Sequence, residues 1–104
     1  MSIEIVILKK GNGNFSLWIG EDQPFRTDSF LELMAPLKII KKERTHQSFA
    51  PAEIIDDIHT EQGTFSIHNE YDEFAGTTLS TDKLSLIKKI RHIMLSSGQY
   101  HLRS

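Results

Sequence analysis

Residues 63–72, GTFSIHNEYD, repeat the pattern of residues 13–22, GNFSLWIGED, fifty places earlier. Under that shift Ile5 falls on Ile55, Leu8 on Ile58, Phe15 on Phe65, Ser16 on Ser66, Leu17 on Ile67 and Thr27 on Thr77. The match covers a strand, a glycine turn and a second strand, and it predicts two β-hairpins. Asn12-Gly13 is the dipeptide most favoured for a two-residue type I′ turn, because both central positions need positive φ. Gln62-Gly63 is a weaker form of the same signal.

Two-residue loops set the expected cross-strand partners. In the first hairpin Leu8 faces Leu17, Val6 faces Ile19 and Ile7 faces Trp18, so both faces of the ribbon are apolar, with Trp18 and Ile19 filling the core. In the second, Ile58 faces Ile67 and Thr60 faces Phe65 on the buried side. His59 faces Ser66 and Asp57 faces His68 on the wet side.

A helix is expected after each hairpin. Phe30, Leu33 and Met34 recur at helical spacing over 28–35, with Thr27 or Asp28 as the cap and Pro36 as the stop. A longer helix is expected over 81–97, with Leu84, Ile87, Ile90, Ile93 and Met94 as its buried stripe, Ser80 or Thr81 as its cap and Gly98 as a left-handed stop. Between the halves, LKIIKKERT at 37–45 reads as an exposed edge strand whose lysines discourage pairing with other chains. HQSFAPA at 46–52 reads as a linking loop. The expected architecture is α+β: an antiparallel sheet of four or five strands with two helices on one face. All 104 residues form one domain, with repeat halves at 1–36 and 52–98. Convergence on a common hairpin pattern and duplication of a ββα unit both account for the halves.

The composition, 38% hydrophobic and 25% charged, is that of a globular protein. The absence of cysteine excludes disulfides, thiol nucleophiles and thiolate metal sites. The apolar run at 5–8 is too short for a signal peptide or a membrane span, so a cytoplasmic location is expected. The net charge of -2 conceals a strong asymmetry. Residues 1–44 carry a net +1, residues 45–82 carry eight acids and no Lys or Arg, and residues 83–104 carry five cations and no acid.

No motif in the chain defines a reaction. The inferred Asp57–His68 pair beside His59 resembles a base with its orienting carboxylate, but the strand offers no Lys or Arg to hold a phosphate, and the face is open hairpin surface rather than a cleft. The acids at 56, 57, 70, 72 and 73 lack the spacing of a hard-cation loop. GNG at 11–13 is a hairpin turn with no helix behind it to hold an anion. The pI near 6.2 and the acidic hairpin disfavour nucleic acid, and no aromatic stacking pattern accompanies the lysines. No enzyme activity, cofactor or metal is therefore expected.

The acidic block remains as a surface. Asp57, Glu61, Glu70, Asp72 and Glu73 lie close together with His59, His68 and Tyr71 interleaved, and Tyr71 and Phe74 supply aromatic anchors. Eight acids in thirty-eight residues without one Lys or Arg exceed what solubility requires. Such a surface steers a basic partner and rejects an acidic one.

The stretch TFSIHNEYDEFAGTTLSTDKLSLIKKIRHIMLSSGQY at 64–100 resembles the C-terminal part of small bacterial immunity proteins, which protect cells from toxins of contact-dependent growth inhibition or related systems. The resemblance lies in a strand, an acidic turn and a capped helix. It implies a cytoplasmic, non-enzymatic protein that blocks a basic toxin domain, often a nuclease. The chain is expected to be a monomer or weak dimer. By that resemblance the blocking role falls on Glu70, Asp72 and Glu73, with Tyr71 as an anchor. Two other classes stay open: a small hydrolase or nuclease using Asp57, His59 and His68, and a module that dimerises through the edge at 37–45.

Overall fold

The computed structural model describes residues 3–9, 13–20, 26–49, 52–71 and 76–102. In chain order these form β1 (Ile3–Lys9), β2 (Phe15–Ile19), α1 (Thr27–Leu33), a 3₁₀ turn (Ala35–Leu37), β3 (Ile39–Phe49), β4 (Ala52–Thr60), β5 (Gly63–Glu70), β6 (Gly76–Thr81), α2 (Leu84–Ser96) and β7 (Tyr100–Leu102). The seven strands make one sheet in the order β3-β4-β5-β6-β2-β1-β7, antiparallel throughout except where β7 lies parallel to β1. No helix among the described residues is long and apolar enough to cross a membrane.

Alternation builds the core. Phe65 and Ile67 on β5, Ile58 on β4, Leu79 on β6, Leu17 and Ile19 on β2 and Ile5 on β1 are fully buried. They meet Phe30, Met34 and Leu37 from α1 and the turn after it, and Leu86, Ile87, Ile90 and Met94 from α2, in one cluster. The ring of Phe30 stands edge-on to that of Phe65, with centroids 6.5 Å apart. Both helices thus cover one face of the sheet, as expected from the α+β reading.

The sheet has more strands than the four or five expected. β6 (GTTLST) looks from sequence like a cap and a turn, yet Thr77, Leu79 and Thr81 alternate inward, a period of two that β-branched threonine suits. α2 consequently starts at Leu84. Ser80 and Thr81 belong to β6, and the residue preceding the helix is Lys83, with no side-chain cap. The Thr81 hydroxyl instead donates to the Thr64 carbonyl and accepts from the Lys83 N–H. The buried stripe of α2 includes Leu86, while Leu84 is exposed. α1 begins at Thr27 after Arg26, again without a side-chain cap, and Pro36 sits inside the 3₁₀ turn that ends it. Gly98 has φ +78 beyond α2, the left-handed stop that was expected.

Both hairpin registers differ from expectation. β1 and β2 pair as Ile5↔Ile19, Val6↔Trp18 and Ile7↔Leu17, one place from the register of a two-residue Asn12-Gly13 loop. Gly13 does adopt positive φ, +74. Because Ile5, Leu17 and Ile19 share the core face, Trp18 lies on the other face, half-buried, and does not fill the core. In the second hairpin the loop is 61–62, and Gly63 is the first residue of β5, paired with Thr60. The pairs are Ile58↔Phe65, His59↔Thr64, Asp57↔Ser66 and Ile55↔His68, a shift that keeps every side chain on its expected face but changes its neighbours. The repeat holds for the second strand of each hairpin, where Leu17 and Ile67 are buried alike. It fails for the first: Ile5 points into the core and Ile55 away from it.

Gly63 has φ +128, and a Cβ there would lie 3.1 Å from Lys83 Cδ. Gly63→Ala is expected to lower unfolding stability by about 1–3 kcal/mol through backbone strain. Gly13→Ala, at φ +74 with open space around it, should cost less. Urea unfolding midpoints of the two variants check the order.

Candidate functional site

The segment expected as an edge strand at 37–45 forms one from Ile39 onward, Leu37 belonging to the 3₁₀ turn and Lys38 lying at φ 59, and the strand runs on through most of the expected linking loop, since β3 spans Ile39–Phe49 at the sheet edge. Its register slips twice, between Ile39 and Lys41 and between Arg44 and His46, and it pairs with β4 along its length. β3 carries the cations that residues 45–82 lack, so the acids of β4 are not left wholly without counter-charges. Asp56 is buried on the core side and is held side-on by Arg44, Nε to Oδ1 at 3.0 Å and Nη2 to Oδ2 at 3.5 Å. The carboxylate in turn raises the Arg44 pKa. Asp56 is therefore a structural ion-pair partner and not part of the acidic surface.

The face opposite the helices carries the remaining candidates. Asp57 and His59 alternate with Asp56 and Ile58 on β4, and His68 and Glu70 alternate with Ile67 and Asn69 on β5, so all four point away from the core, half-buried. Tyr71 is exposed just beyond β5, its N–H donating to the Ala52 carbonyl. Glu61 is exposed in the β4–β5 turn, 3.8 Å from Lys38 Nζ. Asp72, Glu73 and Phe74 lie outside the described residues.

Asp57 and His68 are not partners, contrary to expectation. Asp57 accepts a 2.7 Å hydrogen bond from the Ser66 hydroxyl, and His59 Nδ1 lies 3.1 Å from Thr64 Oγ1. The two-residue shift in register separates the supposed base from its carboxylate. The catalytic pairing inferred for a hydrolase is absent from the described residues.

A carboxylate that sequence reasoning missed takes that place. Glu53 on β4 binds two histidines at once: His46 Nε2 is 2.8 Å from Oε1 and His68 Nε2 is 3.0 Å from Oε2. His68 Nε2 also lies 3.7 Å from Glu70 Oε1. The hydrogen bond from His68 is the main cause that holds the Glu53 pKa below the usual carboxylate range. Partial burial opposes it and His46 reinforces it. Glu43 on β3 is likewise lowered, chiefly by hydrogen bonding and charge from Lys41 at 3.3 Å, with His59 contributing. Only the adjacency of β3, β4 and β5 reveals this group, because His46, Glu53 and His68 each lie on a different strand.

The sign of the pH effect follows. A carboxylate whose pKa is lower in the folded than in the unfolded chain stabilises the fold above its unfolded value, roughly 4.3 for Glu. That stabilisation is lost as pH falls through the folded value. Acidification from pH 5.5 to pH ~3 should lower the urea midpoint of the wild type. The fall should be smaller in Glu43→Gln/Glu53→Gln, and an equal or larger fall in that variant would discount both pairs.

The chain matches no protein-family model, no curated protein and no solved structure.

Proposed function

We propose that this chain is a non-enzymatic binding protein that neutralises a basic partner, a toxin domain in the manner of bacterial immunity proteins, through the helix-free face of β4 and β5. One observation carries the reading. Glu53, Asp57 and Glu70 share that face with His59 and His68, and neither strand contributes a Lys or Arg to it. The acids stand on central, register-locked strands, so the negative surface is rigid and needs no ordering on binding. Tyr71 at its margin offers an exposed aromatic ring. The resemblance of 64–100 to immunity proteins points the same way.

The test is co-expression. A secreted protein with a variable C-terminal toxin domain is expected to be encoded beside this chain, and the chain should restore growth to cells producing that domain internally. Failure of the full chain to protect rejects the toxin assignment. The competing occupant is a second copy of the chain at the exposed edge of β3, where Ile40 is 69% and Phe49 85% exposed. A stable dimer in sedimentation, dissolved by Ile40→Lys, would favour that reading instead.

A further inference from the structure

Glu53 and Glu70 are directly opposite each other on β4 and β5. Like charges at such a position destabilise a sheet. Among the described residues no Lys or Arg forms an ion pair with either. His68 Nε2 reaches both, 3.0 Å from Glu53 Oε2 and 3.7 Å from Glu70 Oε1. All three ligand atoms lie within 4.8 Å of one another. Ligands bound to a tetrahedral zinc ion at their usual bond lengths sit about 3.3 Å apart, a value these two separations bracket.

We propose that Glu53, His68 and Glu70 form a binding site for a divalent transition metal of the zinc type. One imidazole with two carboxylates suits such an ion, whereas calcium or magnesium would want six or more oxygens. The cation takes the place of the proton between His68 Nε2 and Glu53 and cancels the repulsion of the opposed carboxylates. His46, 2.8 Å from the other Glu53 oxygen, orients that carboxylate from outside the ligand set. The fourth position opens on the uncovered face, toward solvent. Because the ligands come from strands paired across the sheet, Glu53 and His68 fifteen residues apart, no spacing motif in the chain announces them. The site needs no protein partner and stands or falls apart from the toxin reading.

Calorimetric titration of the chelator-treated full chain with zinc chloride tests it, with histidine ring signals followed by NMR. One ion should bind per chain, perturbing the ring of His68 first and that of His46 next. Glu53→Gln and His68→Asn should each weaken binding at least ~10-fold, and His46→Gln by about 10-fold. Amide spectra of the variants in chelator establish that they are folded, and the wild-type ring signals report the site without any substitution. Zinc affinity unchanged in both ligand variants, absence of binding, or shifts centred on His92 or His101 would overturn the proposal.

Discussion

Phe65→Ala is expected to lower the unfolding free energy by about 3–5 kcal/mol, the range for removing a large aromatic side chain from a packed core. Phe65 is fully buried on β5, pairs with Ile58 across β4 and meets Phe30 of α1 edge-on. The void would therefore open where the sheet and the first helix join, and the covering elements come from distant parts of the chain, so collapse around it is limited. A domain of this size has roughly 5–15 kcal/mol in total, and the variant should be only marginally folded at room temperature. Ile55→Ala, on the opposite face of the same hairpin, should cost under about 1 kcal/mol. Denaturant unfolding of the pair measures the contrast, and similar losses at 55 and 65 would show that the faces of β4 and β5 are misassigned.

The second large effect is on binding. Glu53→Lys/Glu70→Lys reverses the two opposed carboxylates at one end of the β4–β5 ladder on the open face and should weaken the proposed complex with a basic toxin domain about 100-fold or more at low salt, mostly through slower association. The exchange replaces one like-charge cross-strand pair by another but also removes the Glu53 contacts to His46 and His68, so its binding is compared only once its amide spectrum shows a folded chain. Asp28→Lys/Glu32→Lys on α1 makes the same change in net charge on the covered side of the sheet. That variant should bind within a few-fold of wild type. Equal losses in the two variants would mean that overall charge, and not this face, governs association.

Much of this account is legible in the chain. Alternation at Asp57, Ile58 and His59 and at Phe65, Ile67 and His68 assigns core and open faces correctly even though the cross-strand partners are off by two, because a shift of two preserves side-chain direction. The edge strand shows in its lysines, and the end of α2 in Gly98. What escapes depends on pairing between distant segments. β6 is mostly hydroxyl residues and becomes a strand because β2 and β5 flank it on either side. β7 is three residues long and exists by pairing with β1. The first hairpin misses by one residue, since Lys9 pairs with Phe15 across a loop longer than two residues, and that step puts Ile5 in place of Val6 opposite Ile19 on the core face; Trp18 is out of the core because it alternates with Leu17 and Ile19. The Glu53 group is hidden for the same reason, since His46 reaches it from an edge strand whose later half looks like a loop.

The five histidines report directly on which surface meets a partner. His46, His59 and His68 belong to the open face and the β3 edge beside it, and His92 is exposed on α2 across the sheet. In an NMR titration of the chain with the proposed toxin-domain partner, the ring signals of His59 and His68 are predicted to shift or broaden with the bound fraction while His92 stays in place. Movement of His92 with His59 and His68 unchanged would put the contact on the helices and contradict the assignment of the acidic face as the binding surface.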